Sequence, residues 1–346
     1  MTALTLSPGR KTLFRWQRPS LEDRLRALMP HWGDLPLSIS SEDLDSNASF
    51  VDYVRHHKVI DPLTGEPLEL VEKSIRKVLF IGSQEARFHR ATGLLEGSTH
   101  FRHPACLGVI DTPWESLIFT TYLRGKPPRM QAIAKPLALG IAEQELLSHR
   151  YLQAQSKSRA PLLWSMDFYR PWFLLRPRFN FARYLSELQR LGQDDPRFAG
   201  LATRFKAFVP KLRDMARQAR RSPRCICHMD YLRKNLFLIK QQLHVIDWSE
   251  VKVGRIGFDG GAYLGSLFRR KDMKMFLTAQ SEFIDAYRAA LPPEFDSEQA
   301  LHNLRYIFLL TALYHCLRPE TLAEYRERER MPLLLQKYEY LLTCLD

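Results

Sequence analysis

The sequence predicts an α+β protein of two lobes, a small antiparallel sheet first and a larger helical part after it. Three observations point there. Residues 35–123 alternate short apolar runs with turn clusters, the pattern of an antiparallel meander. From Ile133 onward the apolar residues recur at helical spacing. Within the helical part, residues 224–247 form one compact strand–loop–strand unit whose apolar runs are interrupted by Asp230, Asn235 and Asp247.

The elements follow in order. Residues 1–34 form an N-terminal extension in which 21–29 reads as a short helix ended by Pro30. Residues 35–39 are strand-like, 40–49 polar and turn-like, and 50–59 a second strand. Asp61-Pro62-Leu63-Thr64-Gly65 is a turn, and 68–78 supplies a third strand. A helix is expected over 84–95. Two strands, 106–110 and 116–122, then flank the hairpin turn Thr112-Pro113-Trp114-Glu115. Gly125, Pro127 and Pro128 break the chain, so the N-terminal lobe spans 35–123 and the C-terminal lobe 124–346. In the second lobe, residues 133–153 should be helical with Leu137, Leu139, Ile141, Leu146 and Leu147 facing the core. Further helices are expected near 181–191, 196–219, 262–290, 297–317 and 320–345.

Composition narrows the partners. The 346 residues, 45% hydrophobic, suffice for one large domain or two coupled lobes. A formal charge of +13 attracts phosphate groups, acidic glycans, nucleic acid or an anionic membrane face. No zinc finger, RNA-binding aromatic motif or KH-type loop accompanies that charge, so no specific nucleic-acid partner is expected. The five cysteines are too few and too scattered for a disulfide framework. Cys225 and Cys227 are better read as alternating strand residues sharing one face than as metal ligands. The first ten residues lack an apolar leader segment, and no stretch of eighteen apolar residues offers a membrane span. The expectation is a cytoplasmic protein, with peripheral contact at the inner face of an anionic membrane left open.

The chemistry concentrates in Cys227-His228-Met229-Asp230-Tyr231-Leu232-Arg233-Lys234-Asn235, followed by Val245-Ile246-Asp247-Trp248. An idle polar side chain beside such apolar runs is costly, so these polar residues have work to do. If 236–239 and 243–246 pair as a hairpin, Asn235 and Asp247 emerge at the same end. A carboxylate and an amide oxygen there are hard ligands suited to Mg2+. Asp230, on the loop entering the hairpin, is placed to take the proton of an attacking hydroxyl. Phosphoryl transfer needs an oriented acceptor, neutralised phosphates and a bridging metal. A carboxylate that ligates the metal has its lone pairs occupied, which explains two aspartates with separate posts.

This H-x-D-x-x-x-x-N run followed by I-D-W resembles the aminoglycoside phosphotransferase and choline kinase family, a branch of the protein-kinase-like fold. The resemblance implies a bilobal protein-kinase-like architecture using ATP and Mg2+, with Asp230 catalytic and Asn235 and Asp247 holding the metal. It implies that His228 supports the loop and that Asp259, in Gly257-Phe258-Asp259-Gly260, braces it. It assigns Lys73 to the nucleotide phosphates with Glu85 as its partner; Glu72, the nearer carboxylate in sequence, should point away by strand alternation. Leu44-Asp45-Ser46-Asn47-Ala48-Ser49-Phe50 resembles the family's nucleotide turn, with Ser46 and Asn47 as phosphate contacts, although the usual glycines are absent. Thr120–Gly125 resembles the hinge that receives adenine, through backbone groups of Thr121 and Leu123.

For the acceptor, two features stand out. One is the aromatic stretch from Trp164 to Phe181, suited to sugar rings, quaternary amines or a lipid surface. The other is the basic set Arg217, Arg220, Arg221 and Arg224. Acidic residues following Asp247 are few, Glu250 and Asp259, among Lys252, Arg255, Arg269 and Arg270. That balance favours a neutral or anionic small molecule or glycan. The loop also resembles the lipopolysaccharide kinases, which implies a sugar hydroxyl of a bacterial surface glycolipid. Two alternatives stay open: a kinase for an amino alcohol or aminoglycoside, and a catalytically silent kinase-like scaffold.

Overall fold

The computed structural model describes residues 18–45, 50–77, 83–91, 94, 97–155 and 181–344. The chain divides into two compact units, Met1–His89 with Ala105–Tyr122, and Arg90–Pro104 with Leu123–Asp346. It is mixed α+β, with an antiparallel sheet in the N-terminal region and a helical C-terminal part, as the sequence predicts.

In the first unit, helix α1 (Leu21–Leu28) opens with a reciprocal capping box: Ser20 Oγ accepts from Asp23 N, and Ser20 N donates to Asp23 Oδ2. Strands β1 (Ser38–Leu44), β2 (Val51–Ile60) and β3 (Pro67–Arg76) follow, then helix α2 (Gln84–Arg90). Strand β4 (Phe101–Arg102) belongs to the second unit; β5 (Cys106–Asp111) and β6 (Glu115–Thr121) return to the first. The sheet order is β1-β2-β3-β6-β5, every pairing antiparallel. Leu25 and Trp32 pack with Val59, Leu70, Leu117 and Phe119 as a small core.

Several boundaries differ from those read in the sequence. Helix α2 ends at Arg90 instead of 95, and the helices expected over 196–219, 262–290 and 320–345 are each broken into shorter pieces. Three further differences have a plain physical cause. The polar residues expected as a turn after Ile39 instead continue β1 to Leu44, because an edge strand with exposed side chains needs no apolar alternation. Residues 18–34 are not a separate extension: Arg24 and Leu25 are buried against the sheet. Residues 90–104 cluster with the C-terminal unit, because β4 pairs in parallel with the later strand β9 (Gln242–Val245).

In the second unit, helix α3 (Ala134–Gln155) buries Leu137, Ile141 and Ala142. Leu139, Leu146 and Leu147, expected in the core, are only half buried, while the polar Gln144, Glu145 and Ser148 are buried. Helices α4 (Phe181–Asp194), α5 (Leu201–Lys206) and α6 (Phe208–Ala219) lead to β7 (Arg224–Cys227). Strand β8 (Leu236–Ile239) forms a hairpin with β9 through Lys240 and Gln241, both at positive φ (48° and 64°) as a tight two-residue turn requires. Strand β10 (Lys252–Arg255) pairs with β7. The chain ends in α7 (Phe258–Arg270), α8 (Met273–Ala290), α9 (Ser297–Cys316), α10 (Pro319–Glu327) and α11 (Met331–Thr343). The start of α7 lies hard against α9. A Cβ at Gly257 (φ 84°) would stand 2.1 Å from Ala300 O, and one at Gly261 would stand 2.5 Å from Leu304 O. Only glycine permits that approach, and it fixes where Asp259 lies.

Candidate active site

The loop between β7 and β8 is held by backbone-directed bonds. His228 is fully buried; its Nε2 lies 2.9 Å from Ile246 O and its Nδ1 3.2 Å from Asp230 N. A carbonyl can only accept and an amide N–H only donate, so these bonds select the neutral tautomer with hydrogen on Nε2. The buried Asp259 carboxylate accepts from His228 N (3.1 Å), Met229 N (2.8 Å) and Tyr231 Oη (3.2 Å). Met229 has φ 64°, a left-handed conformation unusual for a long side chain, and its bond to Asp259 helps hold it there.

The hairpin brings the expected residues together. Leu236 pairs with Val245, and Ile246 N donates to Asn235 O (3.0 Å), so Asn235 and Asp247 lie at the same end. Asn235 Nδ2 donates to Asp230 O and to Asp230 Oδ2, each at 2.9 Å. Both partners are acceptors, so the amide nitrogen must face Asp230 and the amide oxygen must point elsewhere. Asp247 takes a left-handed conformation (φ 63°, ψ 73°), and Lys234 Nζ stands 3.9 Å from its Oδ2. Burial, and then the negative charge of Asp247, raise the Asp230 carboxyl above its ordinary value, while Lys234 and the Asn235 bond pull the other way. Arg233, beside Lys234, donates through Nε to Pro128 O (3.2 Å).

Beneath this loop lies a support that sequence reading missed. Glu145 on α3 is fully buried, accepts from Gly257 N (2.7 Å) and from the Tyr287 hydroxyl, and so ties α3 and α8 to the start of α7. Burial pushes its carboxyl far above the usual range, and that of Asp259 up to about 6. Ser148, one helical turn on, accepts from Ile226 N (3.0 Å). The available signal was the i, i+3 spacing of Glu145 and Ser148 on the face that also carries Ile141.

In the first unit, Lys73 and Glu72 take opposite faces of β3, as alternation predicts. Lys73 Nζ meets Glu85 Oε2 at 2.7 Å. His89, one turn beyond Glu85, is lowered to about 4 by burial and by the Lys73 charge, so it is neutral above that pH. Glu72 is fully buried and meets Arg24 Nη1 (2.9 Å), Tyr53 Oη (2.7 Å) and His57 Nε2 (3.0 Å). Thr121 N donates to Ala105 O (2.9 Å) within the sheet. Leu123 falls in the second unit and is half buried. Ser46 and Asn47 lie outside the described residues, as do Trp164, Phe168, Tyr169, Trp172, Phe173 and Phe179.

Comparison with known proteins bears on this arrangement. Residues 149–301, less than half the chain but including Asp230, Asn235, Asp247 and Asp259, match the phosphotransferase enzyme family. The fold of the chain is protein-kinase-like. A choline kinase from Cryptosporidium parvum Iowa II is similar over 88% of this chain and 88% of that one, at 10% identity and TM-score 0.50. An amicoumacin kinase in complex with AMP-PNP, Ca2+ and Ami is similar over 92% of this chain and 96% of that one, at 10% identity and TM-score 0.56. No curated protein matches the chain in sequence.

The donor set at the hairpin end fits a hard divalent cation. Asp247 offers a carboxylate that already attracts an ammonium, and the orientation of Asn235 leaves its amide oxygen for a second bond. Among the described residues no group of three or more His, Cys, Asp or Glu could hold a metal. A carboxylate and an amide oxygen are hard ligands of the kind Mg2+ takes alongside waters and substrate phosphate oxygens. No helix among the described residues is long and apolar enough to cross a membrane.

Proposed function

We propose that this protein is a phosphotransferase that moves the γ-phosphoryl group of ATP to a hydroxyl of a neutral or anionic glycan, with Asp230 as the base and Asn235 and Asp247 as the Mg2+ ligands. The observation that carries the reading is the Asn235 amide bonded to the Asp230 carboxylate at the hairpin end that also carries Asp247. When bound, Mg2+ would neutralise charge on the phosphates. Asp230 Oδ2, oriented by Asn235, accepts the hydroxyl proton as the acceptor oxygen attacks. The carboxyl's raised pKa brings it closer to the strength useful for a base at neutral pH. Lys73, held by Glu85, supplies positive charge for the nucleotide phosphates. Ser46 and Asn47, with backbone groups of Thr121 and Leu123, are the remaining nucleotide contacts in this reading.

Two observations favour a neutral or anionic acceptor over a cationic one. Glu250 is engaged by Lys252 Nζ at 2.8 Å, and Asp259 is buried with its oxygens spent on the loop. A cationic amine would find few uncommitted carboxylates after Asp247. The motif's likeness to lipopolysaccharide kinases makes a bacterial surface glycolipid sugar the first acceptor to try, at the inner face of the membrane.

The test is an ATP-consumption screen across sugars, core oligosaccharides, glycolipids, amino alcohols and nucleosides, followed by transfer of radiolabel from γ-labelled ATP. Label on a glycan hydroxyl is the expected result. Turnover with amino alcohols or aminoglycosides and none with any glycan would overturn the acceptor assignment.

A further inference from the structure

A second charged site lies away from the catalytic hairpin. Arg269 stands in the last turn of α7 and Asp259 in its first, about 15 Å apart along the helix at 1.5 Å per residue. There the end of α7, the start of α8, and helices α10 and α11 enclose a cavity of about 500 Å3. Six basic side chains line it, Arg269, Arg270, Lys271, Arg328, Arg330 and Lys337, against two acidic ones, Asp272 and Glu324.

Each acid already has a partner, and the six cations outnumber the two. Glu324 pairs with Arg328 at 3.0 Å, and the Asp272 carboxylate caps α8 by accepting from Met275 N at 2.9 Å. Among the described residues Arg269, Arg270, Lys271 and Arg330 form no ion pair.

Lys337 is the sharper observation. Its side chain is 1% exposed, yet Nζ donates only to neutral groups, Arg269 O at 3.1 Å and Tyr325 Oη at 2.8 Å. Two of three ammonium donors are thus used; the Phe268 and Tyr325 ring centroids lie 5.5 Å from Nζ, and Asp272 acts on its charge from a distance without forming an ion pair. A buried ammonium without a contacting carboxylate is costly, and burial lowers its pKa although Asp272 pulls the other way. The backbone bond to Arg269 O explains a donor at this position. It does not explain a cation beside five more.

We propose that this cavity binds a phosphate-bearing anion, a phosphomonoester or diphosphate group, at a site separate from the catalytic hairpin. Guanidinium forks on Arg269, Arg270 and Arg330 suit phosphate oxygens, and Lys337 supplies a desolvated charge at the floor. The site stands apart from the acceptor reading, because it uses none of the hairpin residues.

The probe is pyrophosphate, titrated calorimetrically at fixed ionic strength into the wild type, R269E/R270E, R330E and the control R204E. Arg204 is exposed on α5 and does not line the cavity. The wild type and R204E should bind alike, and R269E/R270E and R330E more weakly by about tenfold or more. Equal affinity in all four proteins overturns the proposal. Sedimentation with phosphatidylcholine vesicles containing phosphatidic acid identifies the source. Binding that disappears in R269E/R270E assigns a lipid headgroup. Pyrophosphate binding without vesicle binding assigns a soluble phosphorylated molecule.

Discussion

Two fully buried carboxylates, Glu72 in the first unit and Asp259 in the second, are treated in opposite ways. Glu72 meets the Arg24 guanidinium as well as Tyr53 and His57. Burial raises its carboxyl, but the bonds from His57 and Tyr53 and the Arg24 charge outweigh that, and it rests below its ordinary value. Asp259 meets only neutral donors, the amides of His228 and Met229 and the Tyr231 hydroxyl. Burial therefore wins, and it is pushed up to about 6. A charge-balanced carboxylate fastens a helix to a sheet. An unbalanced one, tolerated at a cost, fixes the backbone of the loop that carries Asp230. The second arrangement gives up stability to hold a left-handed residue next to Asp230, the proposed base.

The largest expected effect breaks the first network. Glu72→Ala leaves Arg24 buried without its partner and should cost about 3–5 kcal/mol of unfolding free energy. Urea denaturation checks this, and kcat per folded molecule should stay near the wild-type value. An equal loss of kcat in E72A and Asp259 variants would erase the contrast.

The pH dependence of stability separates the two carboxylates by sign. The raised pKa of Asp259 gives a contribution fully present below its ordinary value of 3.8 and lost as pH rises through about 6. It amounts to roughly 3 kcal/mol at most, at 1.36 kcal/mol per pKa unit. Glu72, with its pKa lowered, contributes stability that is lost as pH falls. The stability of wild type relative to D259N should therefore decline between pH 4 and pH 7. A flat difference would show that Asp259 is not the titrating group. The same D259N variant turns one accepting oxygen into a donor facing a donor, and should lower kcat by about 10- to 100-fold through the loop geometry. Steady-state kinetics checks it.

The smallest effect concerns Lys234, which is two-thirds exposed. Its charge opposes the rise in the Asp230 pKa, so K234M should move the acid limb of the kcat profile to higher pH, modestly because solvent screens an exposed charge. An unmoved or lowered limb would separate Lys234 from Asp230.

Local pattern made the hairpin legible. Asp230, Asn235 and Asp247 interrupt apolar runs, and strand alternation separates Lys73 from Glu72. What stayed hidden depends on contacts distant in sequence. Arg24 reads as an ordinary surface residue of an amphipathic helix until Glu72, forty-eight positions later, is seen across from it. Glu145 is one polar residue in a leucine-rich helix, and its partners Gly257 and Tyr287 lie more than a hundred residues away. The placement of 90–104 follows from a two-residue parallel pairing of β4 with β9, too short to leave a periodic signal.

The most direct test is Mg2+-dependent ATP binding and turnover in the wild type, D230N and D247A. D230N should bind ATP with Mg2+ as the wild type does while losing about 100- to 10,000-fold in turnover, and D247A should lose the metal-dependent part of binding. Unchanged ATP affinity in D247A at saturating Mg2+, or full turnover in D230N, would contradict the division of labour between the two aspartates.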